Sequence, residues 1–242
     1  AWAIDSGVKR IPLSGDDRML SYLPLAHVVE RMLVEHGWLR TGMHVFFAES
    51  LDTFAADLQR ARPTIFFSVP RLWVKFQQGI HAKMPPAKLN RLLGIPILGG
   101  IVRKKVMKAL GLDQCKFAAG GAAPMPVSLL NWYERLGIRI NEGYGMTENL
   151  ALSHITVAGQ DQKGTVGPAY EGVEQRIDPQ TGEIQMRSPA VSLRRRPPCA
   201  PDGGPLILTA HVRVPQRSGG VGRHGDHHRY RASPALATAV KR

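Results

Sequence analysis

Between residues 43 and 141, short apolar segments typical of buried strands alternate with longer segments of helical, amphipathic periodicity. Residues 43–48 and 64–68 are two of the strand candidates. Between them, Ser50 is a candidate N-cap for a helix that runs to Arg62 and ends at Pro63. Strand, helix and strand in such short order require right-handed crossovers between parallel strands. The alternation therefore predicts an α/β fold with a mainly parallel sheet and flanking helices.

The alternation continues on both sides of this unit. An upstream helix is predicted over 27–36, with Gly37 as its stop, and a later helix begins at Pro126. The other predicted helices cover 71–82, 87–93 and 101–110, and the other predicted strands cover 114–119 and 138–141. Beyond residue 151 the pattern changes to short strands separated by turns, over 153–157, 172–178 and 183–187. This change predicts a smaller β-rich lobe.

Composition changes abruptly near residue 191. Residues 191–242 contain 10 Lys and Arg against 2 acidic residues, whereas residues 1–190 contain 22 against 17, so most of the net charge of +13 belongs to the tail. The sequence thus predicts an α/β part over 1–150, the β-rich lobe over 151–190 and a basic, low-complexity tail over 191–242. We expect the tail to be disordered, because only 206–208 and 212–214 suggest strands.

Two hypotheses account for the tail. The favoured one is translation of GC-rich DNA in the wrong reading frame, since GC-rich codons yield the Arg, Pro, Gly, Ala and His that dominate it. The other is a natural basic tail, which would make the chain a nucleic-acid-binding module or a ligand for acidic lipid. The tail histidines His224, His227 and His228 lack a partner cluster, so a solvated stretch is favoured over a metal site.

The cysteines and the apolar segments indicate the cellular compartment in which the chain is expected. Cys115 and Cys199 form neither a metal-ligand spacing nor a disulfide framework, and the N-terminus lacks the pattern of a signal peptide. We therefore expect a cytoplasmic protein, with peripheral contact with a membrane left open. The longest apolar run, residues 92–102, has basic residues on both sides and about half the length of a bilayer span. A packed core segment is favoured there over a membrane-surface patch.

The segment EGYGMTE, residues 142–148, carries the most chemistry. It follows a predicted strand, and open α/β sheets bind ligands at the carboxyl ends of their strands. Glycines allow close backbone approach, Tyr144 offers a flat face to a base, Thr147 can hydrogen-bond a phosphate, and Glu148 can hold a hard cation. An isolated Gly-Tyr-Gly segment is usually a turn without a binding site.

The segment is the last of three motifs whose order is typical of one protein family. EGYGMTE is preceded by GGAAP at residues 120–124 and by SYLPLAHVVER at residues 21–31. Together they resemble the adenylate-forming superfamily, in particular its long-chain fatty-acid–CoA ligase branch. Further similarity runs through residues 49–80, 164–178 and 182–190, so the resemblance covers roughly residues 1–190.

The resemblance implies a two-step reaction that uses ATP, Mg²⁺ and CoA. ATP and a fatty acid form an acyl-adenylate, and the CoA thiol then displaces AMP to give the thioester. The catalytic residues implied are Thr147 on the phosphate, Glu148 on Mg²⁺ and His27 on the acyl-carboxylate side. The residues implied to surround the adenylate are Gly120, Gly121, Ala122, Ala123, Pro124, Gly143, Tyr144, Gly145, Met146 and Thr147. For His27 the alternative is a histidine that caps or packs at a helix start, and Trp73 is expected in the core rather than at the acyl tunnel.

Departures from the family matter as much as the matches. Members carry a phosphate-binding loop upstream of a segment like residues 1–21, and a ribose-binding Asp and a catalytic Lys downstream of one like residues 187–190. None of these is found, and Lys241 has no supporting motif. We therefore expect a fragment of the large N-terminal domain, inactive alone. Besides a fatty acid, the substrate could be another acid, such as an aromatic one.

Overall fold

The computed structural model describes residues 1–191, apart from 12, 158, 160–162 and 181–182, together with the backbone of 208–210. The helices are α1 (Trp2–Arg10), a π-helical segment (Glu30–His36) that runs into α2 (Gly37–Thr41), α3 (Phe54–Ala61), α4 (Pro70–Lys83), α5 (Pro86–Leu93), α6 (Leu98–Leu110), α7 (Val127–Arg135) and a 3-10 turn (Thr147–Asn149). The strands are β1 (Arg18–Ser21), β2 (His44–Phe47), β3 (Ile65–Ser68), β4 (Phe117–Gly120), β5 (Ile140–Tyr144), β6 (His154–Ile155), β7 (Glu174–Ile177), β8 (Ile184–Arg187) and β9 (Leu208–Ala210).

The central sheet is mainly parallel, which confirms the predicted α/β class. β3, β4 and β5 pair in parallel, and β6 adds an antiparallel edge strand. β1 and β2 form a second parallel pair. The Thr64 N–H donates to the Arg18 carbonyl at 2.9 Å, so β1 lies beside the start of β3. Helices connect the parallel strands, as right-handed crossovers require.

The two faces of this sheet are built from alternate residues of the same strands. Phe66 and Ala118 belong to a core cluster on one face, formed with α4 and α7. A cavity on the other face is lined by Phe67 and Ala119, the residues that follow them in the chain, and by Gly143 of β5. A strand with period two thus serves a packed core and an open cavity at once.

Aromatic rings fill the core face. Trp73 of α4 is fully buried, and its ring makes edge-to-face contacts with Phe66 at 5.3 Å and Tyr133 at 4.9 Å between centroids. The Tyr133 hydroxyl donates to the Trp73 carbonyl at 2.6 Å. Such ring pairs stabilise a core beyond the burial of their area. Trp73 is therefore a core residue, as expected.

Several element boundaries differ from the predictions. The upstream helix does not stop at Gly37 but continues to Thr41, and Gly42 ends it with φ of 73°. Ser50 does not cap α3: it forms a turn with Thr53, and the helix begins only at Phe54. α1 and β1 were not predicted.

The smaller sheet consists of three antiparallel strands. β8 pairs with β7 on one side and with β9 on the other. β9 comes from the tail and overlaps the strand predicted over 206–208, so these three residues are an exception to the expected disorder. The rest of the tail, including the strand predicted over 212–214, Cys199 and the three histidines, lies outside the described residues.

The apolar run at residues 92–102 is not a core segment, contrary to the favoured interpretation. It forms the end of α5, a turn and the start of α6, and most of its residues are exposed. Leu93 and Gly99 are buried, whereas Ile97 is 86% exposed. Among the described residues, no helix combines the length and apolar character needed to cross a membrane.

Candidate active site

A cavity of about 250 Å³ opens where β3, β4 and β5 end. Its wall includes Ser68 at the end of β3, Gly121 after β4 and Gly143 near the end of β5, so three carboxyl ends meet there. The residues predicted for the site that line this cavity are His27, Gly121, Ala122, Gly143, Tyr144, Gly145, Met146 and Thr147. Motifs more than 100 positions apart in the sequence thus converge on one cavity.

Glycines keep this end of the sheet open. A Cβ on Gly121 would lie 3.0 Å from the Gly143 carbonyl oxygen and 3.2 Å from the Phe67 ring. A Cβ on Gly145 would lie 2.3 Å from the Ala151 carbonyl group. The first position borders the cavity, and the second holds the turn after β5 against the following loop. Only glycine fits at Gly145 without backbone movement.

Tyr144 is half-buried beside the cavity. Its hydroxyl has no hydrogen-bond partner among the described residues, and burial raises its pKa. A buried hydroxyl without a partner destabilises the fold unless a ligand or water supplies a hydrogen bond. Its ring centroid lies 6.0 Å from that of His154. Tyr144 therefore offers both an aromatic surface and a free donor.

His154 was not predicted as a site residue. It lies on β6, is 2% exposed and lines the cavity. Its Nδ1 is 2.7 Å from the Ser153 hydroxyl, while its Nε2 has no hydrogen bond in the part of the chain that the structure describes. Burial lowers the pKa of His154 to about 4, so the ring is neutral at pH 7. No spacing pattern around residues 153–156 indicates that His154 lines the cavity.

His27 lies exposed at the cavity mouth, in the turn before the upstream helix. Its Nδ1 accepts the Val29 N–H at 3.2 Å, so Nε2 is the ring nitrogen left to donate. The side chain can therefore donate to an anionic ligand. The same Nδ1 bond caps the start of the helix, which agrees with the capping form of the alternative role, whereas packing does not fit an exposed ring.

A buried carboxylate, Glu30, holds the loop that presents His27. It accepts the Leu23 N–H at 2.7 Å, the Tyr22 N–H at 3.0 Å and the Ser21 hydroxyl at 3.1 Å. Charge-assisted bonds of this kind are roughly twice as strong as neutral ones. Glu30 was part of a recognised motif but was not singled out, because one carboxylate in a helix carries no signal of burial.

The remaining predicted residues do not line the cavity. Gly120 is buried on the core side, where a Cβ would lie 2.3 Å from the Met125 side chain. Ala123 and Pro124 are exposed beyond the cavity edge. Glu148 is half-buried in the 3-10 turn, next to the exposed Thr147. The GGAAP segment therefore contributes its middle residues, Gly121 and Ala122, to the cavity.

Glu142 opens the EGYGMTE segment but faces away from the cavity. Its carboxylate accepts the Gly164 N–H at 2.8 Å, and burial raises its pKa against the effect of the backbone donors of Gly164 and Met125. It ties the end of β5 to the loop at residues 163–167. This position is structural support for the site rather than part of its surface.

No group of three His, Cys, Asp or Glu side chains that could hold a metal occurs among the described residues. Mg²⁺ is usually held by one or two carboxylates together with substrate phosphates. Glu148 follows Thr147 in the chain but does not line the cavity, and a single carboxylate there fits a cation that arrives with a nucleotide. It does not fit a resident metal held by the protein alone.

Part of the cavity wall is apolar. α1 contributes Ile4 and Gly7, the residue after it is Ile11, and the π-helical segment contributes Met32 and Leu33. A cavity lined by both polar groups and aliphatic side chains suits an amphipathic ligand. This wall was missed, because α1 was not predicted.

The family of the chain is decided by a comparison over most of its length. A family model described as AMP-binding enzyme matches residues 2–193. The chain belongs to the AMP-binding enzyme family. The observed convergence of GGAAP, EGYGMTE and the His27 turn on one cavity is in keeping with this membership of the AMP-binding enzymes.

Individual relatives agree with the family. A protein of Mycobacterium tuberculosis named as putative fatty-acid–CoA ligase fadD11 is 28% identical over 204 residues, which cover 72% of this AMP-binding chain and 36% of that protein. The long-chain-fatty-acid–CoA ligase ACSBG2 of Rattus norvegicus is 33% identical over 177 residues, covering 61% and 26%. The chain thus spans about a third or less of the length of these relatives.

A solved structure supports the fold. A malonyl-CoA ligase in a ternary product complex with methylmalonyl-CoA and AMP matches with a TM-score of 0.55 and 27% identity, over 78% of this chain and 38% of that one. Adenylate-forming enzymes of this kind use ATP and CoA. The mainly parallel sheet is therefore that of an AMP-binding enzyme.

Proposed function

We propose that this chain provides the acyl-adenylate site of a fatty-acid–CoA ligase. The observation that carries the proposal is the convergence of Tyr144, Thr147 and His27 on a cavity whose wall is partly aliphatic. In the first step, the fatty-acid carboxylate attacks the α-phosphorus of ATP, and pyrophosphate leaves. In the second, the CoA thiol attacks the acyl carbon, loses its proton and expels AMP.

The residues divide this work by position. The Tyr144 ring, between two glycines, packs against the adenine base, whose edge lies along Gly121 and Ala122. The Thr147 hydroxyl donates to the α-phosphate, where negative charge develops. The His27 Nε2–H donates to the acyl carboxylate and brings it towards the phosphate. Positioned donors of this kind offset the repulsion between two anions.

Magnesium would enter this site with the nucleotide. When bound, the ion neutralises phosphate charge, and Glu148 would hold it together with the phosphate oxygens. The remaining predicted residues, Gly120, Ala123 and Pro124, support the cavity edge from outside. Met146, Gly143 and Gly145 shape the wall around the phosphate.

A long-chain acid is the substrate that the observations favour. The aliphatic wall formed by α1 and the π-helical segment supports an acyl chain, and two relatives carry the name of fatty-acid–CoA ligases. An aromatic acid would need flat walls, whereas Ile4, Ile11 and Leu33 present branched side chains. The domain division, with an α/β part over 1–150 and a lobe over 151–190, stays a prediction; β6 pairs with β5 across that boundary.

Calorimetric titration with a non-hydrolysable acyl-adenylate mimic tests the proposal. We expect palmitoyl sulfamoyl adenosine to bind more tightly than AMP and more tightly than the benzoyl analogue. Tyr144→Ala should weaken palmitoyl-analogue binding about tenfold, because base stacking on an aromatic ring contributes about 1–3 kcal/mol. Tyr170→Phe, which keeps a ring elsewhere in the cavity wall, serves as the control. Equal affinity of wild type and Tyr144→Ala would exclude the proposed adenine site.

The chain alone is expected to lack turnover. Fatty-acid-dependent exchange of pyrophosphate into ATP by the purified chain would contradict that expectation, yet it would leave the adenylate site in place. Binding and exchange therefore test separate parts of the proposal.

A further inference from the structure

The hairpin formed by α5 and α6 exposes aliphatic side chains at its tip. Ile97 is 86% exposed, Ile101 58%, Ile95 42% and Leu98 38%. They are adjacent in sequence and gather around one turn. The base of the hairpin, in contrast, is buried in the main core through Leu89 and Met107, among others. The tip is therefore an apolar protrusion on a firmly packed support.

The turn at the tip holds Ile97 in an unfavourable conformation. Its φ is 66° and its ψ is −56°, and the Leu98 N–H donates to the Pro96 carbonyl at 2.7 Å, which makes a γ-turn with a β-branched residue at its centre. Such turns are rare and strained. Strained backbone that persists on a surface points to a function for the side chain it displays.

Several backbone donors of the tip are nonetheless paired within the hairpin. The Gly94 N–H donates to Asn90 and Arg91 carbonyls, the Ile95 N–H to the Leu92 carbonyl and the Gly99 N–H to the Ile95 carbonyl. Pro96 has no N–H to satisfy. Each paired donor lowers the free-energy cost of moving this turn out of water.

The hairpin that carries this apolar tip is rich in cations and contains no acidic residue. Residues 58–112 contain 11 Lys and Arg and no Asp or Glu. The exposed cations of the hairpin are Lys88, Arg91, Arg103, Lys104, Lys105 and Lys108. None of these six forms an ion pair with any residue that the structure describes. On α6, Ile101 and Lys105 are four residues apart and therefore share a face.

We propose that the α5–α6 hairpin docks on anionic membranes. The aliphatic tip enters the boundary between headgroups and acyl chains, and the flanking cations contact lipid phosphates, with their stems lying along the apolar boundary. A bilayer fits better than nucleic acid, because the exposed tip is aliphatic, whereas single-stranded nucleic acid is bound by stacking on aromatic rings. The surface is separate from the cavity, so this inference does not depend on the proposed function.

Sedimentation of the full chain with vesicles tests the apolar part. The chain should bind vesicles of equimolar phosphatidylglycerol and phosphatidylcholine, and bind pure phosphatidylcholine vesicles weakly. Ile97→Gly should weaken binding to the anionic vesicles about tenfold, because it removes the most exposed side chain. Glycine also relieves the strain at this turn, so the urea midpoint should not fall. The matched control is Leu51→Ser, at an 89% exposed leucine outside the hairpin.

A charge comparison separates the hairpin from the basic tail. The triple variant Arg103→Gln, Lys104→Gln, Lys105→Gln should weaken anionic-vesicle binding about 100-fold, since each cation near a membrane contributes about a factor of five. The tail variant Arg194→Gln, Arg195→Gln, Arg196→Gln removes the same charge elsewhere. An equal loss in the tail variant, unchanged binding by Ile97→Gly, or tighter hairpin-dependent binding to DNA than to vesicles would each overturn the proposal.

Discussion

The same strands form both faces of the central sheet, but one face is a packed core and the other borders an open cavity. On the core face, Phe66 packs against Trp73, and the Tyr133 hydroxyl has a partner in the Trp73 carbonyl. On the cavity face, glycine and alanine leave about 250 Å³ open, and the Tyr144 hydroxyl has no partner within the described part of the chain. The Trp73 Nε1–H on the core face also has no partner among the described residues, but it is surrounded by packed rings. On the cavity face the unpaired hydroxyl lies beside unfilled volume, so a ligand could fill the volume and pair the hydroxyl.

The largest expected effect tests whether the core face is fully packed. Trp73→Ala should lower the free energy of unfolding by about 3–5 kcal/mol, because it leaves a cavity beneath the rings of Phe66 and Tyr133. Urea denaturation followed by far-UV circular dichroism measures this loss. Trp38→Ala, at a tryptophan that is 52% exposed, is the control and should change stability little. Similar losses in both variants would contradict the packed core.

Two adjacent alanines of β4 compare the faces directly. Ala118→Val adds volume to the filled core and should cost about 1–3 kcal/mol of stability. Ala119→Val adds the same volume beside the cavity and should change the urea midpoint little, while it weakens binding of the palmitoyl analogue. Both alanines are almost completely buried, so burial alone cannot explain a difference. Equal destabilisation by the two variants would remove the distinction between the faces.

The pH dependence of stability tests the neutral ring of His154. Its pKa is lowered to about 4 in the folded chain, whereas an unfolded histidine titrates near 6.5. The unfolded state therefore binds the proton more readily, and the stability of the fold falls as the pH drops through this window. Between pH 7 and pH 5 this group should remove about 2 kcal/mol.

His154→Asn isolates that contribution. Urea midpoints of the variant should vary less between pH 7 and pH 5 than those of the wild-type chain. Glu142, whose raised pKa acts in the opposite direction, is present in both proteins and cancels in the comparison. A wild-type chain and a variant with parallel pH profiles would show that the ring is charged or solvated.

The smallest effect concerns the open end of the cavity. Gly121→Ala places a methyl group 3.0 Å from the Gly143 carbonyl oxygen and should weaken the palmitoyl analogue about tenfold, equivalent to about 1.4 kcal/mol. Gly79→Ala, at a helical glycine with no atom within 4 Å of an added Cβ, is the control in the same titration. Unchanged affinity in the first variant would place the ligand away from β4.

The sequence was informative where chemistry and periodicity coincide. EGYGMTE, the GGAAP segment and His27 were linked through their motifs, and β4 and β5, which lead into the first two segments, were predicted from periodicity. The α1 wall was missed, because its buried residues include Ser6 and Gly7, which give no apolar stripe. His154 was missed because burial, rather than residue spacing, gives it a neutral ring.

Apolar composition gave the wrong answer at the α5–α6 tip. Residues 92–102 contain few polar side chains, and apolar residues are usually interior, but that tendency does not require every apolar segment to be buried. Only tertiary packing shows that Leu93 is buried while Ile97 projects outward. The predicted helix start at Ser50 was also wrong, because Ser50 forms a local turn with Thr53 instead of capping the helix.

The three bonds accepted by Glu30 have a consequence for affinity. Ordering a backbone costs about 1–2 kcal/mol of conformational entropy per residue, and a ligand that must order a loop bears that cost itself. Because Glu30 fastens residues 21–23 within the folded chain, the loop before His27 loses this entropy during folding. We therefore expect the affinity for a carboxylate ligand to depend on a side chain that never touches it.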